Sequence, residues 1–137
     1  MLNTRHAKEI VVKMPNEIGA FDRMTKTISD KGANLLAVSA WVEGGDAVIR
    51  LVTDDTSRVM DALKAHNYAA READVLVVDV PHKPGMLRRI TSSLAEGGID
   101  IHHLYATAPT AQAESMVVFA SANNDRAMVL LNGSRWA

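Results

Sequence analysis

Val12-Lys13-Met14-Pro15-Asn16-Glu17-Ile18-Gly19-Ala20-Phe21 decides the fold, because its pattern returns as Val80-Pro81-His82-Lys83-Pro84-Gly85-Met86-Leu87. Gly19 and Gly85 are 85 − 19 = 66 positions apart. The same shift carries Pro15 onto Pro81, Ile28 onto Leu94, Gly32 onto Gly98, Asn34 onto Asp100 and Leu35 onto Ile101. Further along, the shift is 116 − 48 = 68 and carries Val48 onto Met116, Leu51 onto Phe119, Arg58 onto Arg126 and Leu63 onto Leu131. Two copies of this length imply a duplicated small domain rather than a solenoid.

Each copy reads as βαββαβ. In the first, Ile10-Val11-Val12-Lys13-Met14 is a β-branched run stopped by proline. Ile18, Phe21, Met24 and Ile28 follow at helical spacing, with Lys31-Gly32 as the stop. A strand over 34–42, a hairpin turn at Glu43-Gly44-Gly45-Asp46 and a return strand over 47–53 come next. Asp54-Asp55-Thr56 caps a helix carrying Val59, Met60 and Leu63, and 68–71 forms a short last strand. The second copy predicts a strand over 75–80 and a helix with Leu87, Ile90 and Leu94 inward. Strands over 99–107 and 115–121 follow, separated by a longer turn at 108–112, then a helix capped by Asn124-Asp125 and ending near Leu131. Residues 132–137 make a poor strand, so the second copy ends without a clear fourth one.

These patterns predict an α+β fold of two ferredoxin-like units, 8–72 and 73–137, packed side by side. Each has an antiparallel sheet with its helices on one face. The second strand of each unit falls at a sheet edge and is apolar, which invites edge pairing and predicts a homodimer. Trp41 reads as part of that interface, and Met24, Met60, Met86 and Met128 as core.

Composition narrows the function. Lys+Arg 15 against Asp+Glu 16 gives a net charge of −1, which argues against a nucleic-acid or acidic-membrane surface. The chain has no cysteine, hence no thiolate metal site and no cysteine nucleophile. Its start has neither a signal-peptide pattern nor a membrane span, and a cytoplasmic location is expected. No nucleophile–base pair, metal triad or phosphate loop stands out, so no catalytic residue, metal or cofactor is expected. An RNA-binding βαββαβ module needs aromatics on its central strands, and 10–13 and 48–51 have none. His102 and His103 are adjacent on a strand and point to opposite faces, so they cannot hold one metal together.

The quoted blocks, with Gly32-Ala33-Asn34-Leu35 after the first and Gly97-Gly98-Ile99-Asp100-Ile101 after the second, resemble the ACT domain. The resemblance covers roughly Lys8 to Leu131. It implies a stand-alone tandem ACT protein, a regulator that binds an amino acid or similar small metabolite between paired domains and has a metabolic enzyme as possible partner. It places the ligand-binding residues at Asn16, Glu17, Ile18, Gly19, Ala20, Phe21, Asn34 and Leu35. In the second copy they fall at His82, Lys83, Pro84, Gly85, Met86, Leu87, Asp100 and Ile101. Ligand-contacting asparagines of the phosphoglycerate dehydrogenase type match Asn16 and Asn34; His82 and Asp100 replace them in the second copy, so the two sites need not be equivalent. The stretch from Tyr105 to Thr110 is similar to acetolactate synthase small subunits, which gives a regulatory subunit as the alternative. Several of these residues also have a structural reading. Gly19 and Gly85 suit helix–strand packing, Asn16 suits a helix cap, Asn34 suits a left-handed turn, and His82 suits a solvated loop.

Overall fold

The computed structural model describes residues 2–107 and 114–133. The expected turn at 108–112 and the tail from 134 lie outside the described residues. The elements run β1 (Asn3–Pro15), α1 (Ala20–Ser29), β2 (Leu35–Glu43), β3 (Asp46–Thr53), α2 (Thr56–Ala65), β4 (Ala69–Pro81), α3 (Met86–Glu96), β5 (Ile101–Ala106), β6 (Glu114–Ser121) and α4 (Asn124–Gly133). They form two compact units. One is Lys8–Ala73; the other joins the residues before Lys8 to those from Asp74 onward.

In the unit Lys8–Ala73 the strand order is β2-β3-β1-β4. β1 runs antiparallel to β3, with Ile10 opposite Leu51 and Val12 opposite Ile49. Side chains alternate along a strand, so these four residues share one face. Ala20, Met24 and Ile28 of α1 and Val59, Met60 and Leu63 of α2 pack on that face in one cluster. Both helices therefore cover the same side of the sheet, as the sequence predicts. Burying each large side chain contributes about 1.5–3 kcal/mol. The other face carries Glu9, whose side chain is fully buried and meets the Arg50 guanidinium at 2.6 Å. The Trp41 ring lies 5.7 Å from the carbon at the centre of that guanidinium, a cation–π distance.

The other unit is built on the same plan, with strand order β1-β4-β6-β5. Leu76 lies opposite Phe119 and Val78 opposite Val117. These pack with Val80, Met86, Ile90, Leu94, Ala127 and Leu131. The start of the chain takes the place of a fourth strand in this unit. Leu2 enters this core, and Thr4 is buried. Arg5 pairs with Asp79, and His6 Nε2 sits 3.3 Å from Asp125.

Several sequence expectations change in detail. β1 spans thirteen residues rather than 10–14, and β4 is one strand where two were expected. β5 is shorter than 99–107. The last helix is capped by Asn123, whose Oδ1 accepts from the Arg126 N–H at 3.1 Å. Asn124 instead accepts from Ser121. Ile18 precedes α1 and is fully exposed, and Phe21 and Leu87 are exposed rather than inward. The cause is Gly19 and Gly85. Each turns left-handed before its helix, and the inward stripe starts at the residue that follows it, Ala20 or Met86.

Candidate functional site

The loop between β1 and α1 is held at both ends. The Asn16 N–H donates to the Gly45 carbonyl at 2.9 Å, which ties the loop to the β2–β3 hairpin. The Ala20 N–H donates to the Glu17 carbonyl at 3.1 Å, closing a tight turn. Gly19 at the N-cap has φ 84°, a left-handed value that glycine adopts without strain. A Cβ there would also meet Arg23 Nη1 at 3.2 Å. No side chain caps α1. The Phe21 and Asp22 N–H groups have no carbonyl one turn back within the helix, so the helix start offers donors and a positive dipole end to a carboxylate.

A cavity of about 210 Å³ opens beside this loop. Five sequence-predicted residues line it: Asn16, Glu17, Gly19, Ala20 and Phe21. Ile18, Asn34 and Leu35 do not. Asn34 instead exchanges two bonds with Asp54: its N–H reaches Asp54 Oδ1 at 2.9 Å, and its carbonyl accepts from the Asp54 N–H at 3.1 Å. The remaining walls are Met14, Ala40, Trp41, Val42, Ala47 and Ile49, which sequence reasoning missed as a site. The hairpin register assembles them, with Ala40 opposite Ile49 and Val42 opposite Ala47. Glu17 is the sole charged residue of the lining, and its carboxylate lies 3.3 Å from Arg23.

The second copy repeats the scaffold. Gly85 has φ 87° and caps α3 without a side chain. The Arg89 N–H donates to the Gly85 carbonyl at 3.1 Å, as the Arg23 N–H does to Gly19 at 3.0 Å. The Asp100 carbonyl accepts from the Ala122 N–H at 2.9 Å, which repeats the bond between Asn34 and Asp54. The cavity here is about 150 Å³. Among the predicted residues His82, Lys83, Met86 and Leu87 line it, and Pro84, Gly85, Asp100 and Ile101 do not. Val80, Pro81, Ala106, Thr107, Ser115 and Val117 complete it. His82 Nδ1 is 3.1 Å from the buried Ser115 hydroxyl, which fixes the imidazole against β6.

Among the described residues no group of three or more His, Cys, Asp or Glu side chains is placed to hold a metal ion. No helix there is long and apolar enough to cross a membrane.

No family model matches this chain, and no curated protein does. Solved structures do. A Bacteroides thetaiotaomicron protein superposes with a TM-score of 0.87 at 23% identity, over 94% of this chain and 88% of its own. The ligand-free regulatory subunit of aspartate kinase from Thermus thermophilus gives 0.66 at 13% identity, over 96% and 94%. A C-terminal regulatory domain of aspartate kinase from Porphyromonas gingivalis gives 0.62 at 11%, over 100% and 97%. At these identities the likeness is one of fold alone, the α+β, ferredoxin-like arrangement.

Proposed function

We propose that this chain is a non-catalytic, small-molecule-sensing regulator of the tandem ACT type, which binds an amino acid at the start of α1 and acts as a homodimer. The observation that carries the proposal is the cavity beside Gly19. It joins an uncapped helix start, suited to a carboxylate, to Asn16 and Glu17, whose side-chain oxygens suit an ammonium group. Apolar walls complete it. An α-amino acid presents these three features together. The strand β2 that forms one wall is also the edge of its unit and carries exposed Leu36, Val38 and Val42. An edge of that kind suits a second copy, which would close the cavity against water. The partner regulated in turn would be a metabolic enzyme, so a regulatory subunit of an amino acid biosynthetic enzyme is the alternative role for the same site.

Calorimetric titration with each of the twenty amino acids tests the proposal. A ligand at a hundredfold excess over its Kd should raise stability by about 2.7 kcal/mol. Asn16→Ala should weaken binding by about 1–3 kcal/mol, roughly five- to a hundredfold, with unfolding unchanged. Absence of heat with every amino acid at millimolar concentration would reject the sensor role.

A further inference from the structure

The two cavities stand at matching places in the repeat and differ in chemistry. By the 66-residue shift, Asn16 becomes His82, Glu17 becomes Lys83, and Trp41 becomes Thr107; by the 68-residue shift, Ala47 becomes Ser115. The acidic group of the first lining is thus a basic one in the second. The Ala47 methyl group gives way to the Ser115 hydroxyl. Ala20 becomes Met86, a larger side chain at the same point, and the cavity shrinks from about 210 to about 150 Å³.

We infer that the cavity beside Gly19 selects an amino acid with an uncharged apolar side chain of about leucine size, and that the cavity beside Gly85 refuses that ligand. The inference rests on the amino acid-sensing proposal and goes beyond it by naming the ligand class and by separating the two sites. The backbone ends of any amino acid find the same partners, so the side-chain walls must discriminate. In the first cavity those walls are Met14, Phe21, Val42 and Ile49, while the Trp41 ring lies over Arg50 on the other face of the sheet. A charged side chain there loses its water without gaining a partner, which is costly. A lysine side chain could reach only Glu17, whose carboxylate already lies beside Arg23. Leucine gains apolar contact with Met14, Phe21, Val42 and Ile49, and each methylene removed from such a pocket costs about tenfold or more in selectivity. In the second cavity Met86 takes up space, and the Ser115 hydroxyl, beside the His82 imidazole, replaces the Ala47 methyl group.

Calorimetry provides the readout, with leucine, glutamate and lysine each titrated into the protein. The expected result is saturable heat with leucine at one site per chain, and affinities for glutamate and lysine at least about tenfold weaker. Ala47→Ser, which copies the second lining, puts a hydroxyl against the apolar side chain and should weaken leucine by about tenfold while leaving the unfolding transition in place. Glutamate or lysine binding as tightly as leucine overturns the inference while the sensor role stands. Two leucines per chain, or unchanged leucine affinity in Ala47→Ser, also overturn it. No binding by any amino acid defeats the underlying proposal instead.

Discussion

Gly19 and Gly85 are where sequence and site meet most directly. Their φ values of 84° and 87° need a residue without a Cβ. Gly19→Ala should destabilise by about 1–2 kcal/mol through backbone strain alone. The loss should be larger at Gly19 than at Gly85, because the added Cβ meets Arg23 at 3.2 Å in the first case and open space in the second. Urea unfolding of the two variants checks the order. Both glycines were legible from the repeated motif. The buried Glu9 was not: it stands in a run of strand residues, and a lone acidic side chain there reads as solvent-facing. Its partner is Arg50, on the far side of a hairpin and 18% exposed. Glu9→Ala leaves that guanidinium half-stranded and should cost about 3 kcal/mol; replacing both residues by leucine should cost far less. Equal losses in the single and double variants would show that the charges themselves do not matter.

At the scale of elements, the helices and the four inner strands follow from periodicity, because each buries a regular apolar face. The start of β1 has no such face. Asn3-Thr4-Arg5-His6-Ala7 is mostly polar, and its place in a sheet depends on partners more than seventy residues away, such as Asp79. Sequence pattern carries no trace of a contact at that range. The cavity walls escaped notice for the same reason, since Ala40, Trp41 and Val42 reach the loop only through hairpin register. A strand borrowed from the chain's start has a measurable consequence. Leu2 is 5% exposed within the second core, so Leu2→Ala should cost about 2–4 kcal/mol, within the range for deleting a buried leucine side chain. Removing residues 2–7 should abolish the folded amide signals of the residues from Asp74 onward in a nuclear magnetic resonance spectrum. The Lys8–Ala73 signals should persist, because that unit has its own last strand in the first part of β4. Retention of both sets after the deletion would mean that the second unit folds without its borrowed strand.

At the scale of the whole molecule, exposed apolar side chains are unevenly shared. The unit Lys8–Ala73 leaves Ile18, Phe21, Leu36, Val38, Trp41 and Val42 in contact with solvent, on the loop, α1 and β2. In the other unit the large exposed apolar residues among those described are Leu87 and Val129. An edge strand with free backbone groups and an apolar border is a template for pairing, and soluble chains either blunt such an edge or cover it. Here β2 has no lysine, proline or inward charge along 35–42 to blunt it. The expected state is therefore a homodimer joined through β2, seen as twice the chain mass in sedimentation at tens of micromolar. Val38→Lys is the discriminating variant. Val38 is 40% exposed and lies outside the lining of the Gly19 cavity, so the change should leave folding within about 0.5 kcal/mol of the parent. It should yield a monomer, because a charge on each edge repels its copy and loses water on pairing. Leucine affinity in that monomer reports whether one chain suffices: a large loss ties the ligand to the dimer, as the open wall at β2 implies, and unchanged affinity makes the cavity complete within a single chain. A parent protein that sediments as a monomer rejects edge pairing, and a dimer that survives Val38→Lys places the contact away from β2.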